Sequence, residues 1–358
     1  MMSIMNYTSL PDFDHHEEVV RCVDEGSGLR GFIAVHNTNR GPALGGCRMW
    51  TYGDEAAALA DVLRLSRGQT YKAALANLDI GGGKSVIIGD PRSDKSRDLL
   101  LAMGDYVNNL NVSYIIAEDS GTGVADMRVM NERTQWVAGV VEGSEHGGDP
   151  SPSTAYGMFV GIKAAVRHRF GSDNLAGMRI AIQGVGNVGY RLGALLYEAG
   201  ASLYVADVFA DNCECAVREF DARVVSVEEI HRTEVDVYSP CALGGAINDR
   251  TVMQIKAAVV AGAANNQLSS PLHGNRLQKR GILCVPDYAI NAGGIIDIAY
   301  ERAGGDQEGK RRHLDSISDT LAELFRRADE SGRSTARVAD ELAEERFQKR
   351  SEGRHHQI

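Results

Sequence analysis

One hexapeptide constrains this chain more than any other feature. Gly184-Val185-Gly186-Asn187-Val188-Gly189 follows an apolar run at 178–183 and opens a segment, 187–198, whose apolar residues recur at helical spacing. A Gly-x-Gly-x-x-Gly run between a strand and a helix is a dinucleotide fingerprint. The first glycine permits a tight turn, the second lets backbone approach a pyrophosphate, and the third lets helix and strand pack closely. Free N–H groups at the helix start then face the anion. The next apolar run ends at Asp207, 23 positions after Gly184. An acid there accepts from a ribose 2′-hydroxyl and repels a 2′-phosphate. Val208-Phe209-Ala210 supplies no arginine to hold such a phosphate. The expected cofactor is therefore NAD, in preference to NADP. The bland alternative is a glycine turn beside a surface acid.

Around this motif the pattern alternates. Strands are expected at 178–183, 202–206, 235–238, 257–261 and 282–285, with helices at 187–198 and 211–220. Such alternation predicts a parallel sheet with crossover helices. The first third predicts a strand at 31–36, a helix from Asp54 to about Ala76, a break at Gly81-Gly82-Gly83, and strands at 84–89 and 113–117. The stretch 143–153, rich in Gly, Ser and Pro, marks a domain boundary. The last part predicts helices at 289–301, 311–331 and 335–350. A length of 358 residues agrees with two domains at ~150 residues each. The fold class is α/β in two domains separated by a cleft, the second a Rossmann-type dinucleotide-binding domain over 150–331.

Composition narrows the partners. The chain carries 38 Lys+Arg against 48 Asp+Glu, a net charge of −10, which suits no phosphate backbone. No nucleic acid and no membrane partner is expected, since no run of ~18 apolar residues occurs. The N-terminus is acidic and unlike a secretory signal. Six scattered cysteines form neither a disulfide framework nor a zinc pattern. The expectation is a reduced, cytoplasmic protein without a bound metal. His15-His16 and His355-His356 read as solvent-exposed, and Trp50 and Trp136 as packing residues.

Two lysines bracket the glycine run in Tyr71–Lys84. Lysines usually sit on solvated faces. Lys84, however, follows three glycines and precedes a buried-looking strand, where lost hydration favours the neutral amine that a base needs. Lys72 would stay cationic and hold an anion such as a carboxylate. Asp119 stands at an expected strand end, either in the chemistry or capping the next turn.

Further motifs fall in order along the chain: GPALGGCRMW (41–50), LSRGQTYKAALANLDIGGGKSVIIGDPRSDKS (65–96), AEDSGT (117–122), GDPSPSTAYG (148–157), QGVGNVGY (183–190), PCALGGAIND (240–249), GAANNQL (262–268) and PDYAINAGGIID (286–297). Together they resemble the glutamate/leucine/phenylalanine/valine dehydrogenase family, its leucine branch most of all. The resemblance runs from about Asp12 to Arg346. It implies reversible oxidative deamination of an L-amino acid to a 2-oxo acid and ammonia with NAD. By that resemblance Lys84 is the catalytic lysine, Lys72 binds the substrate carboxylate and Asp119 relays protons. Thr154 and Asn266 lie near the nicotinamide, Asn291 also lines the cleft, and Asn291, Cys241 and Ala242 fall in the cofactor set. Leu44, Ala117, Ile295 and Ile298 line the side-chain pocket, and Asn266 is shared with the substrate.

That lining is aliphatic and holds no cation for a γ-carboxylate. Phenylalanine-type relatives tend to have Gly where Ala117 stands. A branched aliphatic substrate is therefore expected, leucine ahead of valine and isoleucine, because one methylene discriminates by only ~1–3 kcal/mol. The alternatives are a valine- or phenylalanine-preferring enzyme and a non-catalytic NAD-binding protein. The resemblance also implies a catalytic and oligomerisation domain over 1–149, with the C-terminal helix (about 332–358) packing back on it, and a homo-oligomer. Departures from relatives are Ser120, Gly123 and Asp297, the last an acid beside the expected pocket that could disfavour anionic substrates.

Overall fold

The computed structural model describes residues 7–140, 149–242 and 244–348. Residues 143–148 of the expected boundary, and the pair His355-His356, lie outside the described residues. The chain divides into two compact units. Unit 1 comprises Met1–Gly148, Glu301–Ala303 and the chain from Ala343, and unit 2 comprises Asp149–Tyr300 and Gly304–Leu342.

Unit 1 contains β1 (Glu18–Asp24), β2 (Leu29–Asn37), β3 (Ala43–Trp50), α1 (Glu55–Leu75), β4 (Gly81–Ile88), α2 (Arg97–Asn109), β5 (Tyr114–Glu118) and α3 (Val124–Asn131). Its sheet runs β1-β2-β4-β3-β5. β2 is antiparallel to β1 and β4, whereas β3 is parallel to β4 and β5. Period-2 alternation divides the sheet's two faces. One face buries Cys47, Met49, Tyr114 and Ile116 against Leu100 and Met103 of α2 and Met127 and Met130 of α3. The other packs Phe32, Ala34 and Val86 against Ala58, Leu59, Val62 and Leu63 of α1. Asp54 starts α1 by accepting the Ala57 N–H at 2.7 Å.

The expected break at Gly81–Gly83 is not one. β4 begins at Gly81, and the glycines admit the helix: a Cβ on Gly82 would stand 2.1 Å from the Thr70 nitrogen. The reading of exposed histidines also fails for His16, which is buried with Nε2 3.0 Å from both the Leu63 carbonyl and the Ser66 hydroxyl. Trp50, expected to pack, is 53% exposed at the end of β3.

Unit 2 contains α4 (Ser151–Phe170), β6 (Arg179–Gln183), α5 (Asn187–Glu198), β7 (Ser202–Ala206), α6 (Ala210–Phe220), β8 (Arg223–Val224), β9 (Val237–Pro240), β10 (Val259–Val260), α7 (Pro271–Lys279), β11 (Leu283–Cys284), α8 (Asp287–Ile290), most of α9 (Gly293–Arg302), α10 (Gln307–Asp315), α11 (Ile317–Ser331) and the first part of α12 (Thr335–Gln348), whose residues from Ala343 belong to unit 1. The sheet order is β11-β10-β9-β6-β7-β8, with every pairing parallel. β6 sits between β9 and β7, so the chain reverses its winding beside β6. Ligands of doubly wound sheets bind at such a switch point.

The helix expected over 289–301 is divided by Asn291 and Ala292, and that over 311–331 by Ser316. In the first case α9 restarts against α4: a Cβ on Gly293 would stand 2.1 Å from the Ser153 carbonyl oxygen.

Candidate active site

In unit 2 the three glycines of the 184–189 turn meet different surroundings. Gly184 has φ +94°, and a Cβ there would stand 2.8 Å from the Ala242 side chain. A Cβ on Gly189 would stand 2.0 Å from the Gly184 carbonyl oxygen, which is the close helix–strand approach. Gly186 has nothing within 4 Å of that position. The open side of the turn is therefore where a diphosphate can approach the start of α5. Asn187 and Val188 form the first turn of that helix. Asp207 at the end of β7 accepts the Val185 N–H at 2.8 Å and the Phe209 N–H at 2.9 Å. These residues fit a dinucleotide.

The rest of the expected cofactor set lies on α4 and in the segments that follow β9, β10 and α8. Cys241 donates its N–H to the Gln183 carbonyl at 2.7 Å. Burial pushes its thiol up from the usual range. Thr154 on α4 donates its hydroxyl to the Pro150 carbonyl at 2.9 Å. Asn266 has φ +54°, and its N–H donates to Asp287 at 2.8 Å. Asn291 donates Nδ2 to the Ala263 carbonyl at 3.0 Å and to Asn265 Oδ1 at 2.9 Å. Its own Oδ1 is buried with no protein donor among the described residues. A buried acceptor left so calls for a donor outside the described residues, such as a water or a bound cofactor. The sequence reading singled out Asn266 and passed over Asn265, which makes the side-chain bond. Ile295 and Ile298 lie one helical turn apart on α9, the first buried and the second half-buried. Asp297, the departure on that helix, is paired with Lys310 at 2.7 Å.

In unit 1 the parallel strands place the lysine and the acid. Leu44 pairs with Ile115 and Gly46 with Ala117 across β3 and β5, and Leu44 pairs with Gly82 on β4. Paired residues share a face. Leu44, Gly46, Ala117 and Lys84 thus lie on the α1 face. Gly46 is small for a reason. A Cβ there would stand 2.7 Å from Asp119 Cβ and 3.1 Å from Lys84 Nζ.

Lys84, 8% exposed, holds Nζ 2.8 Å from Asp119 Oδ2. Arg48 Nε stands 3.3 Å from the same oxygen. Both contacts are charge pairs, and Oδ2 receives no hydrogen bond of good angle from the described residues. Burial pushes the Asp119 carboxyl up, but Lys84 and Arg48 together outweigh it and hold it at about 2. Asp119 is thus an ionised, largely buried carboxylate held between two cations. Lys72 lies in the last turn of α1, half-buried. Cys47 points away from all of this, into the core, with burial pushing its thiol up to about 12.

Sequence reasoning missed Arg48, Asp61 and Tyr52. Arg48 donates to Asp61 Oδ2 at 3.0 Å, and the Tyr52 hydroxyl donates to the same oxygen at 2.7 Å. The signal was present: Leu44, Gly46 and Arg48 alternate along one strand. The double glycine hid that strand.

A family model described as Glu/Leu/Phe/Val dehydrogenase, dimerisation domain, matches residues 16–136, and one described as Glutamate/Leucine/Phenylalanine/Valine dehydrogenase matches residues 206–340. Leucine dehydrogenase of Bacillus cereus is 48% identical over 346 residues, covering 97% of this chain and 94% of that protein. Phenylalanine dehydrogenase of Bacillus thermotolerans is 42% identical over 355 residues, 98% of this chain and 93% of that protein. The crystal structure of L-tryptophan dehydrogenase from Nostoc punctiforme superposes with a TM-score of 0.83 at 43% identity, covering 95% of this chain and 98% of that one. With an ion-paired lysine and aspartate on one unit, a dinucleotide turn on the other, and this extent of similarity, the chain belongs to the glutamate/leucine/phenylalanine/valine dehydrogenases and is an amino acid dehydrogenase.

Proposed function

We propose that the protein oxidises a branched-chain L-amino acid, leucine first and also valine and isoleucine, to the 2-oxo acid and ammonia, reversibly and with NAD. The observation that carries this reading is the largely buried Lys84–Asp119 pair on a strand face whose neighbouring side chains, Leu44 and Ala117, are aliphatic. In the proposed mechanism Lys72 holds the substrate carboxylate. Lys84 takes a proton from the attacking water at Nζ, and Asp119 relays protons to and from the nitrogen that leaves. Bound NAD supplies the hydride acceptor, held by the 184–189 turn with its ribose on Asp207. Thr154, Asn266, Asn291, Cys241 and Ala242 line the cofactor side. Leu44, Ala117, Ile295 and Ile298 select the side chain. None of them is cationic, which disfavours glutamate.

A second reading is an aromatic substrate, favoured by the similarity to phenylalanine and tryptophan dehydrogenases. The Ala117 methyl, buried on the site face, weighs for the smaller side chain. NADH formation by the purified protein with Leu, Val, Ile, Phe, Trp and Glu decides between them. The highest kcat/KM is expected with leucine. A higher value with Phe or Trp overturns the aliphatic reading. We also propose a homo-oligomer, supported by the dimerisation-domain match over 16–136. Light scattering on an eluting size-exclusion peak tests it, and a mass near 38.6 kDa would refute it.

A further inference from the structure

We propose that Arg48 is the standing counter-ion of the site, a positioning residue that lets Lys84 give up its proton without leaving Asp119 a buried, uncompensated anion. The inference rests on the proposed roles of Lys84 and Asp119. Its geometry stands within unit 1 alone.

A base must cycle between ammonium and amine. Lys84 Nζ is paired to Asp119 Oδ2 at 2.8 Å, and both side chains are largely buried. With those two groups alone, each deprotonation of Lys84 would strand a carboxylate away from water, and the carboxylate would hold the proton in place. Arg48 changes this. Its guanidinium is charged at any working pH, and it stands 3.3 Å from the same oxygen. Asp119 thus keeps a cation through the whole cycle.

Arg48 is itself held. Asp61 on α1 accepts its Nη1 at 3.0 Å, and Tyr52 donates to Asp61 at 2.7 Å. The result is an alternating series, Lys84, Asp119, Arg48, Asp61, closed by a hydroxyl. The other titratable groups that act on Asp119 are Cys47 on β3, Tyr52 just after it and Tyr114 on β5. Burial pushes all three up from their usual values, so all three stay neutral at working pH. Arg48 and Lys84 are then the two cations that decide its state.

The test uses the full-length protein with Arg48→Met, Arg48→Lys and Asp61→Asn. Turnover with leucine is followed against pH, and the Asp119 carboxyl is titrated by 13C NMR with carboxyl-labelled aspartate, Asp119→Asn identifying its resonance. In Arg48→Met the rise of kcat with pH should move upward by about 1–3 pH units, and the Asp119 carboxyl should titrate about 1–3 units higher. kcat should fall at least ten-fold at neutral pH, with the KM for leucine changing less. Arg48→Lys should restore most of the profile, and Asp61→Asn should fall between. An unmoved pH profile and an unmoved carboxyl titration in Arg48→Met overturn the proposal, whatever happens to the rate. If Arg48→Met does not fold, the same two readouts on Arg48→Gln decide, and no movement there overturns it. If the wild type oxidises no amino acid, the proposed function fails, and the carboxyl titration still judges Arg48.

Discussion

Val185 donates its backbone N–H to Asp207 Oδ2 at 2.8 Å, so the acid after β7 is built into the glycine turn as well as standing beside it. Its other oxygen accepts from the Phe209 N–H. Asp207→Ala therefore removes two restraints on the turn along with the expected ribose acceptor. The KM for NAD should rise about ten- to hundred-fold, from about 1–3 kcal/mol of lost charge-assisted hydrogen bonding. The preference for NAD over NADP should shrink, because the group that repels a 2′-phosphate is gone. Steady-state kinetics with both cofactors measures the two effects separately. An unchanged preference would remove the ribose contact from the mechanism.

The glycines of the same turn separate binding from folding. Gly186→Ala meets no neighbour within 4 Å and has an ordinary φ of −73°. Its melting temperature should stay within about a degree of wild type, while the KM for NAD rises about ten-fold or more as the methyl fills the expected diphosphate approach. Gly184→Ala should instead unfold more easily by about 1–3 kcal/mol, having both a left-handed φ and the Ala242 side chain in its way. Equal thermal shifts in the two variants would contradict this assignment.

Lys84→Ala should lower turnover with leucine by about 10³-fold or more, the scale of a lost general base combined with a misplaced carboxylate. NAD binding, followed by titration of intrinsic fluorescence, should persist, because the dinucleotide turn belongs to unit 2. Turnover within ten-fold of wild type would reject Lys84 as the base.

Much of unit 2 was legible because its signals are local. The strand 202–206 and the helix 187–198 coincide with β7 and α5, where period and punctuation agree. Unit 1 was harder. β3 holds Gly45 and Gly46, and β4 opens with three glycines, so a reader of turn signals sees breaks. Those glycines are a tertiary requirement. Gly82 makes room for Thr70 of α1, and Gly46 makes room for Lys84 and Asp119. Lys84 and Asp119 were visible through their motifs, but Arg48 and Asp61 were not. Their meeting depends on a helix crossing a strand, which no short spacing encodes. His16 was misjudged for the same reason, its partners Leu63 and Ser66 lying 47 and 50 residues away.

Asp297 and Lys310 form a second, half-buried pair, 2.7 Å apart, with side chains 15% and 13% exposed. The acid beside the expected pocket is thus already compensated. Lys310→Met should destabilise the protein by about 1–2 kcal/mol, because it leaves a half-buried carboxylate without its cation. Asp297→Asn in the Lys310→Met background should recover much of that. Urea denaturation of the three variants checks both statements. A Lys310→Met cost below about 0.5 kcal/mol would show the pair to be solvated.

Acid should loosen unit 1 before it protonates the site aspartate. His36 is buried beside His16, with ring centroids 4.8 Å apart, and its Nδ1 meets the Thr70 hydroxyl at 2.8 Å. Burial first, and the neighbouring His16 second, depress His36 to about 4 from the ordinary 6.5. The folded state therefore binds fewer protons than the unfolded chain, and stability rises with pH through this window. The contribution is fully present above about 6.5 and is lost as pH falls toward 4, amounting to about 2 kcal/mol by pH 5. Asp119 responds later. Its carboxyl, held at about 2, keeps its stabilising charge until the pH drops below the ordinary carboxylate range. His36→Gln should flatten the dependence between pH 6.5 and 5, since glutamine has no charge to acquire. Urea unfolding at pH 7.5, 6 and 5 measures this. A His36→Gln variant that loses as much stability as wild type over that range would assign the acid sensitivity to other groups.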